Sequence, residues 1–517
     1  MLVSLDTPAT GTRLTSSVVH IQGWALDEHV PVRAVRLLVD GRPLGRLGLG
    51  WPRPDVAESL GDPRLGMCGF ARLVTLPAWA RTPGRHDVQV QIHLFDGRVV
   101  PSAGARIDVA AMAEEPPEPW PPVGAGPGRD TLRTVWLARS LDHGGSQLRM
   151  AETVEHLAGA GGWSATVLSP LEGPLRARLE RAGATVRIVD QVPLDDPAAY
   201  SAAVDQLVPH VAGADLAIAP TVTSFPLTHA AARAGVPAVQ RVGEAAPLPT
   251  VCAWQGRTLH PAVEEHARRA FGAAQLVWSN SHTGEGLYRE HGYDGRWRVV
   301  HSGRVRPAAR PSREEARRRL GIAAHRRLLV FAGTLWPVKG QGLLAEALRI
   351  VGPEHPDLLV AMVGDDTHPY AARLRDHLRH TGIAEQVLVA PFEADLSLWW
   401  AAADGVALTP AAESEALSGA LVEGMSHGLP ALVTRSGDAA EMVEDGHSGW
   451  LADADDLGSL VEALRRAAGA ELSVWRAYGE RAAARCARED DRGTALETVA
   501  QLLRRAAAAE PRLAADG

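Results

Sequence analysis

Short apolar stretches alternate with helix-forming stretches along most of the chain, and this alternation restricts the fold more than any other feature. Residues 131–303 contain apolar stretches at 134–138, 165–168, 216–219, 238–242 and 276–279. Helix-forming stretches such as residues 147–157 lie between them. Because parallel strands need a crossover connection, usually a helix, this order predicts a parallel sheet covered by helices.

The alternation restarts after an Arg- and Pro-rich segment, with apolar stretches at 328–332, 358–363, 387–390, 405–408 and 431–434. The predicted fold is therefore α/β, with two doubly wound, Rossmann-like domains at residues 131–305 and 306–490 that face a cleft. Open parallel sheets bind ligands at the carboxyl ends of their strands, which makes the cleft the expected site. An amphipathic stretch at 495–509, within the terminal segment 491–517, predicts a helix that packs back across the domains.

The first part of the chain, residues 1–109, reads as a separate all-β domain. Strand-like residues 35–39 run into Asp40-Gly41, a strong hairpin signal, and residues 88–94 alternate polar with apolar side chains. Short strands at this spacing predict a small β-sandwich. The Pro- and Gly-rich residues 110–130 predict a semi-rigid tether.

Composition excludes several classes of protein. The 517 residues are 46% hydrophobic, which excludes wholesale disorder, and the net charge of −8 argues against a nucleic-acid partner. No apolar run is long enough to span a bilayer, and the N-terminus lacks the pattern of a secretion signal. Three distant cysteines cannot form a disulfide framework. We expect a cytoplasmic protein without a transmembrane segment; peripheral membrane contact and oligomeric state stay open.

The chain contains a single lysine, Lys339, among 53 basic residues. It closes the loop Gly333-Thr334-Leu335-Trp336-Pro337-Val338-Lys339-Gly340, which follows a predicted strand and precedes a helix beginning near Gln341. Lysine is a compact charge on a flexible stem, which arginine does not replace well. Beside the free N–H groups of a helix N-terminus it would form an anion site. The alternative is a solvated surface lysine.

Two glutamates eight positions apart follow the predicted strand 405–408. Glu415 lies in the loop, and Glu423 lies about one turn into a helix predicted for residues 419–427. Their carboxylates could accept hydrogen bonds from adjacent sugar hydroxyls. The alternative is a capping acid and an exposed helical glutamate.

A third candidate is His143-Gly144-Gly145-Ser146, between the first strand of the domain at 131–305 and its first helix. Small residues there would let a phosphate or sugar approach backbone N–H groups, and Ser146 could cap the helix. The alternative is a simple turn.

Together these motifs resemble glycosyltransferase family 4, retaining enzymes with the GT-B architecture. The resemblance is carried by residues 334–340, by 415–430 with its Glu-x7-Glu spacing, and by Gly437-Asp438-Ala439-Ala440-Glu441 with the following glycines. It extends from about Arg133 to the C-terminus. Residues 1–109 resemble an immunoglobulin-like sandwich attached to some glycosyltransferases, through Gly23-Trp24-Ala25-Leu26-Asp27.

The resemblance implies a role for each candidate residue. Lys339 would neutralise the diphosphate of a nucleotide-sugar donor, UDP- or GDP-linked, next to Gly333 and Thr334. Glu415 would hold donor sugar hydroxyls, and Glu423 the ribose. The backbone of Ala416, Leu417 and Ser418 would line the sugar pocket, and Gly144 and Gly145 would let their domain close on the diphosphate. No metal is expected.

Two positions depart from the family pattern. Thr334 stands where the family usually has an arginine, and Gly243 stands where a histidine is common. Arg241 or Arg304 could supply the missing charge. We expect the loss of the arginine and the histidine to affect the catalytic rate more than the fold.

The expected activity is hexosyl transfer, with retention, from a nucleotide sugar to a carbohydrate or glycoconjugate acceptor, as in polysaccharide or glycoconjugate biosynthesis. The β-sandwich favours a polymeric or protein-attached acceptor, with a packing or oligomerisation role as the alternative. Two other functions stay open: a catalytically degenerate binding protein with this fold, and a GT-B sugar-nucleotide epimerase.

Overall fold

The structure, a computed structural model, describes residues 1–14, 17–102, 104–110, 131–303, 311–488 and 491–508. The chain divides into two compact units. The first unit contains residues 1–15, 19–111 and 304–491, and the second contains residues 16–18, 112–303 and 492–517. Apart from Ala110, the predicted tether lies outside the described residues, and so does Arg304.

Among its described residues, the first unit begins with nine strands, mostly antiparallel, which we call the N-terminal sheet. They are β1 (Leu2–Thr7), β2 (Thr12–Leu14), β3 (Val18–Leu26), β4 (Val32–Val39), β5 (Arg42–Trp51), β6 (Gly69–Thr75), β7 (Gly84–Leu94), β8 (Val99–Pro101) and β9 (Ala105–Val109), with helix α1 (Pro54–Leu60) between β5 and β6. Hydrogen bonds run without a break in the order β1-β3-β6-β5-β4-β7-β9-β2, and β8 pairs with β7.

The predicted hairpin between β4 and β5 is confirmed. Asp40 and Gly41 both have positive φ, 49° and 75°, as a two-residue turn between right-twisted strands requires. Gly23 lies where β1, β3 and β6 meet, and a Cβ there would stand 2.1 Å from the Ser4 carbonyl oxygen. The immunoglobulin-like sandwich itself stays a prediction.

The second unit contains a seven-stranded parallel sheet, the middle sheet. Its strands are β10 (Leu132–Leu137), β11 (Trp163–Ser169), β12 (Thr185–Ile188), β13 (Leu216–Ala219), β14 (Ala238–Val242), β15 (Leu276–Ser279) and β16 (Trp297–Val299). Its helices are α2 (Gly145–Ala160), α3 (Leu175–Arg181), α4 (Pro197–Val211), α5 (Phe225–Ala234), α6 (Leu248–Trp254), α7 (Pro261–Ala273) and α8 (His282–Glu290). The strand order is β12-β11-β10-β13-β14-β15-β16.

The remainder of the first unit contains a six-stranded parallel sheet, the C-terminal sheet. Its strands are β17 (Arg327–Ala332), β18 (Leu358–Val363), β19 (Val387–Ala390), β20 (Gly405–Leu408), β21 (Ala431–Thr434) and β22 (Gly449–Ala452). The helices are α9 (Arg313–Leu320), α10 (Gln341–Val351), α11 (Pro369–His380), α12 (Ser397–Ala402), α13 (Gly419–Ser426), α14 (Ala439–Met442), α15 (Leu457–Gly469) and α16 (Leu472–Cys486).

Chain order reverses in the C-terminal sheet beside its first strand. The strand order is β19-β18-β17-β20-β21-β22, so the chain builds outward from β17 on one side and continues from β20 on the other. Helices that follow β17 and β20 therefore leave toward opposite faces, which opens a crevice at their carboxyl ends. The predicted two doubly wound units are confirmed.

The last helix, α17 (Arg492–Ala508), belongs to the second unit. Its apolar side chains Val499, Ala500 and Leu503 lie in the same buried cluster as Trp136 of β10 and Val154 of α2. None of the described helices combines the length and the apolar content needed to cross a membrane.

Candidate active site

The loop after β17 places Lys339 at the chain-order reversal of the C-terminal sheet. Residues 337–339 form one turn of 3-10 helix, and α10 begins at Gln341. Gly340 between them has φ of 81°, and a Cβ there would stand 1.7 Å from the Thr409 carbonyl oxygen. The Thr409 hydroxyl also donates to the Gly340 carbonyl, 2.9 Å away. Glycine is therefore required where the loops after β17 and β20 touch.

Lys339 and Glu415 form an ion pair between Nζ and Oε2. The two side chains are 28% and 20% exposed, so the pair is partly screened from water and still open to it on one side. An incoming anion can therefore compete with Glu415 for the ammonium, and the carboxylate released can accept hydroxyl hydrogen bonds.

The segment between β20 and α13, which we call the 409–418 loop, is bonded to the Lys339 turn. The Ala411 N–H donates to the Val338 carbonyl at 2.9 Å, and the Ser414 hydroxyl, which donates to the Ala411 carbonyl at 2.6 Å, lies 3.3 Å from the same Val338 oxygen. The Ala412 N–H donates to Asp455 Oδ2 at 3.1 Å. These bonds fix the lysine and the glutamate relative to each other.

Residues 416–418, predicted to line a sugar pocket, are buried and lead directly into α13. A Cβ on Gly437 would lie 2.3 Å from the Ala416 carbonyl oxygen and 2.1 Å from that of Glu415. Glu423 is the fifth residue of α13 and is half-buried, close to the predicted depth. The tight packing against Gly437 therefore holds the backbone of Glu415 and Ala416, directly before Leu417.

Gly333 and Thr334 lie in the first part of the same loop. The Gly333 N–H donates to the Val363 carbonyl at 2.9 Å, and the Thr334 carbonyl accepts a 2.9 Å bond from Gln341 Nε2. Gln341 is fully buried. Thr334 therefore supplies a carbonyl that holds the start of α10, and it brings no charge in place of the family's arginine.

In the second unit, the Gly144-Gly145 turn lies at the start of α2, beyond β10. Gly144 is the residue before the helix and Gly145 is its first residue, with no atom within 4 Å of the position of a Cβ. The prediction that Ser146 caps α2 is wrong. Because the helix begins at Gly145, Ser146 is already helical, and its hydroxyl lies 3.5 Å from Glu244 Oε1.

Gly243 leaves room for a buried arginine. A Cβ at this position would stand 2.8 Å from an Arg241 guanidinium nitrogen. That guanidinium donates to the Pro220 carbonyl at 3.1 Å and lies 5.2 Å from the Trp278 ring centroid. Burial lowers the pKa of Arg241, and Glu244 opposes that effect. A side chain at position 243 would displace Arg241.

In the part of the chain that the structure describes, no three His, Cys, Asp or Glu side chains come together as metal ligands. Donor binding without metal stays a prediction.

Sequence reasoning missed three residues around the Lys339 turn. Tyr370 of α11 is buried and accepts the Gly342 N–H at 2.8 Å, Asp455 holds the 409–418 loop, and Arg72 of β6 pairs with Glu413 at 2.7 Å. Of these three contacts, only that of Tyr370 with Gly342 has a local signal in the sequence. The signal is the pair of glycines at 340 and 342, because glycines at a helix start indicate close backbone contact. The other contacts join distant segments.

Comparison with known proteins finds a family match for the region of the C-terminal sheet. Residues 326–469 match the family described as Glycosyl transferases group 1. D-inositol 3-phosphate glycosyltransferase from Streptomyces avermitilis is 29% identical over 252 residues, 46% of this chain and 53% of that protein. The protein of the same name from a Nocardioides species is 31% identical over 255 residues, 45% of this chain and 55% of that protein. The chain spans about half the length of these relatives.

Solved structures share the fold. HepE from Anabaena in complex with UDP has a TM-score of 0.60 at 22% identity, over 72% of this chain and 100% of that chain. WaaG, a glycosyltransferase involved in lipopolysaccharide biosynthesis, has a TM-score of 0.56 at 18% identity, over 72% and 99%. Residues 326–469 thus match the group 1 family model, and the chain shares the GT-B fold of these structures.

Proposed function

We propose that this protein is a retaining glycosyltransferase that moves a hexose from a UDP-linked donor to a hydroxyl of a carbohydrate or glycoconjugate acceptor. The observation that carries the proposal is the Lys339–Glu415 pair at the chain-order reversal of the group 1 domain. HepE, with the same fold, has been crystallised with UDP and with UDP-glucose, which supports a uridine donor. The GDP-linked alternative is an outcome of the test below.

Lys339 would act at the leaving group. When the bond between the sugar C1 and the diphosphate oxygen breaks, negative charge grows on the diphosphate, and a fixed ammonium beside it stabilises that charge. The diphosphate would take the position that Glu415 Oε2 now holds at Nζ. Because the turn is bonded to the 409–418 loop through Val338, the ammonium needs little reorganisation.

Glu415, released from Lys339, would accept hydrogen bonds from hydroxyls of the donor sugar, and Glu423 from the ribose. The acceptor hydroxyl would form the new bond to C1 on the face that the diphosphate leaves. Its proton would pass to a diphosphate oxygen, so the step balances without a separate base and retains the configuration. Exclusion of water would protect the donor from hydrolysis.

A second function is favoured by one observation. Thr334 brings no charge to the anion site, and Lys339 is already paired with a carboxylate. Loss of one preorganised donor from such a site costs about 3–4 kcal/mol of transition-state stabilisation, which slows turnover without removing binding. A sugar-nucleotide binding protein without turnover is therefore the second candidate.

A donor panel separates these functions. The full chain is incubated with UDP-, GDP- and dTDP-sugars, with and without oligosaccharide acceptors, and nucleotide release and donor binding are measured. We expect acceptor-dependent release of UDP and an α-linked product from an α-linked donor. Binding without release would establish the binding protein, conversion of the donor sugar without acceptor would establish an epimerase, and an inverted product would refute retention.

A further inference from the structure

The N-terminal sheet packs directly against the start of α10, three residues after Lys339. A Cβ on Gly50 of β5 would lie 2.7 Å from the backbone carbon of Gly342, and a Cβ on Gly342 would lie 2.4 Å from the Gly50 carbonyl oxygen. Met67, which precedes β6, is 3% exposed and lies in the buried cluster of the C-terminal sheet. Because the backbones of β5 and α10 are in direct contact, the N-terminal sheet is held in a fixed position beside the Lys339 turn.

A charged contact lies beside this packed one and reaches the 409–418 loop. Arg72 of β6 is 14% exposed, and its Nη2 lies 2.7 Å from Glu413 Oε2. Its Nη1 donates to the Arg46 carbonyl at 3.0 Å, which fixes the guanidinium from the side of the N-terminal sheet. The arginine therefore presents a positioned charge to the loop rather than a freely moving one.

Glu413 has a backbone conformation in that loop that only surrounding contacts can maintain. Its φ is 52°, in the left-handed region that side chains other than glycine disfavour, and it lies two residues before Glu415. Its neighbour Ala412 bonds Asp455. A conformation of this kind persists where surrounding contacts hold it, and the Arg72 pair is one of those contacts.

We propose that Arg72 is a positioning residue of the sugar-binding site, acting through Glu413 to hold the 409–418 loop and with it Glu415. The N-terminal sheet is then a structural part of the donor site, not a detachable module for the acceptor. This inference rests on the proposed function, because it assigns the donor sugar to Glu415.

Other charged pairs at the same contact provide a matched control. Arg33 Nε lies 3.6 Å from Asp456 Oδ1, at the start of α15 and outside the 409–418 loop, and the Arg33 side chain is 44% exposed. Arg33→Ala removes one positive charge from the N-terminal sheet, as Arg72→Ala does, and leaves the loop contacts in place.

The test measures kinetics with UDP-glucose, binding of UDP, and amide hydrogen exchange. We expect Arg72→Ala to lower kcat/KM for UDP-glucose about 10- to 100-fold, because displacement of a positioned group by about 1 Å has that effect. Binding of free UDP weakens by a smaller factor than kcat/KM falls, because Lys339 keeps its charge and the contact of Gly340 with Thr409 still holds its turn. Glu413→Ala gives the same loss, and the double variant loses no more than either single variant. Arg72→Lys recovers part of the loss, and Arg33→Ala behaves as the parent.

Hydrogen exchange keeps this test separate from the proposed function. Arg72→Ala raises exchange at the Ala411 and Ala412 amides, and Arg33→Ala does not. If the parent chain turns over no donor, the proposed function fails while the exchange still reports on the loop. Unchanged exchange in Arg72→Ala, or additive losses in the double variant, would overturn the positioning role.

Discussion

Replacing Gly340 with alanine tests the contact on which the Lys339 turn depends. The new Cβ would stand 1.7 Å from the Thr409 carbonyl oxygen, and the backbone there has φ of 81°. The left-handed backbone costs about 1–2 kcal/mol for a residue with a Cβ. Forcing the packed loops apart costs about 1–3 kcal/mol more. We expect Gly340→Ala to lower the free energy of unfolding by about 2–5 kcal/mol.

Gly321→Ala isolates the backbone contribution. Gly321 ends α9 with φ of 69°, and no atom lies within 4 Å of the position of a Cβ. Urea unfolding of both variants, followed by tryptophan fluorescence, gives the steric part as their difference, about 1–3 kcal/mol. Equal losses in the two variants would show that the loops after β17 and β20 do not press on each other at this glycine.

Two further predictions concern buried charges. Burial raises the pKa of the Asp455 carboxyl to about 6, against the opposing effects of Arg72 and the Ala412 N–H. The folded chain therefore holds this proton more tightly than the unfolded chain, so the associated stability is complete below about pH 4 and is lost as the pH rises through 6. The full loss is about 3 kcal/mol. The unfolding free energy of Asp455→Asn relative to the parent should therefore rise by about 2–3 kcal/mol between pH 4 and pH 7, and a constant difference would contradict the raised pKa. Arg317→Met removes a 3% exposed guanidinium from Asp404, 2.6 Å away, and should cost about 3–5 kcal/mol in urea unfolding. The neighbouring Arg318→Met, at a 72% exposed side chain, should change little; equal effects would refute the buried pair.

Strands with apolar side chains on both faces could be predicted from the sequence. β13, β20 and β21 are short, mainly apolar runs that directly follow an Asp or a Pro, and their observed bounds are those predicted. β12 was missed because Thr-Val-Arg-Ile at a sheet edge buries little of its surface, so its pattern resembles a loop.

The elements of the site could be predicted, and most of its contacts could not. Lys339 and Glu415 each follow a predicted strand, but their pairing depends on β17 and β20 being neighbours, which strand order decides. The contact of Arg72 with Glu413 has no local signature, because a single arginine among the apolar residues of β6 does not indicate which distant residue it pairs with. The packing of the N-terminal sheet against the C-terminal sheet depends on tertiary contacts, which the periodicity of the sequence does not show.

The most direct test of the donor site is calorimetric binding of UDP and UDP-glucose to Lys339→Met and Glu415→Gln. Arg349→Met, which removes one positive charge from α10, the helix that follows the Lys339 turn, together with its pair with Glu346, is the control. The account predicts that Lys339→Met weakens both ligands by about 1.5–3 kcal/mol, the contribution of a charge-assisted hydrogen bond. Glu415→Gln should weaken UDP-glucose and leave UDP bound at least as tightly. Equal affinities in Lys339→Met and Arg349→Met would contradict the assignment of the donor diphosphate to Lys339.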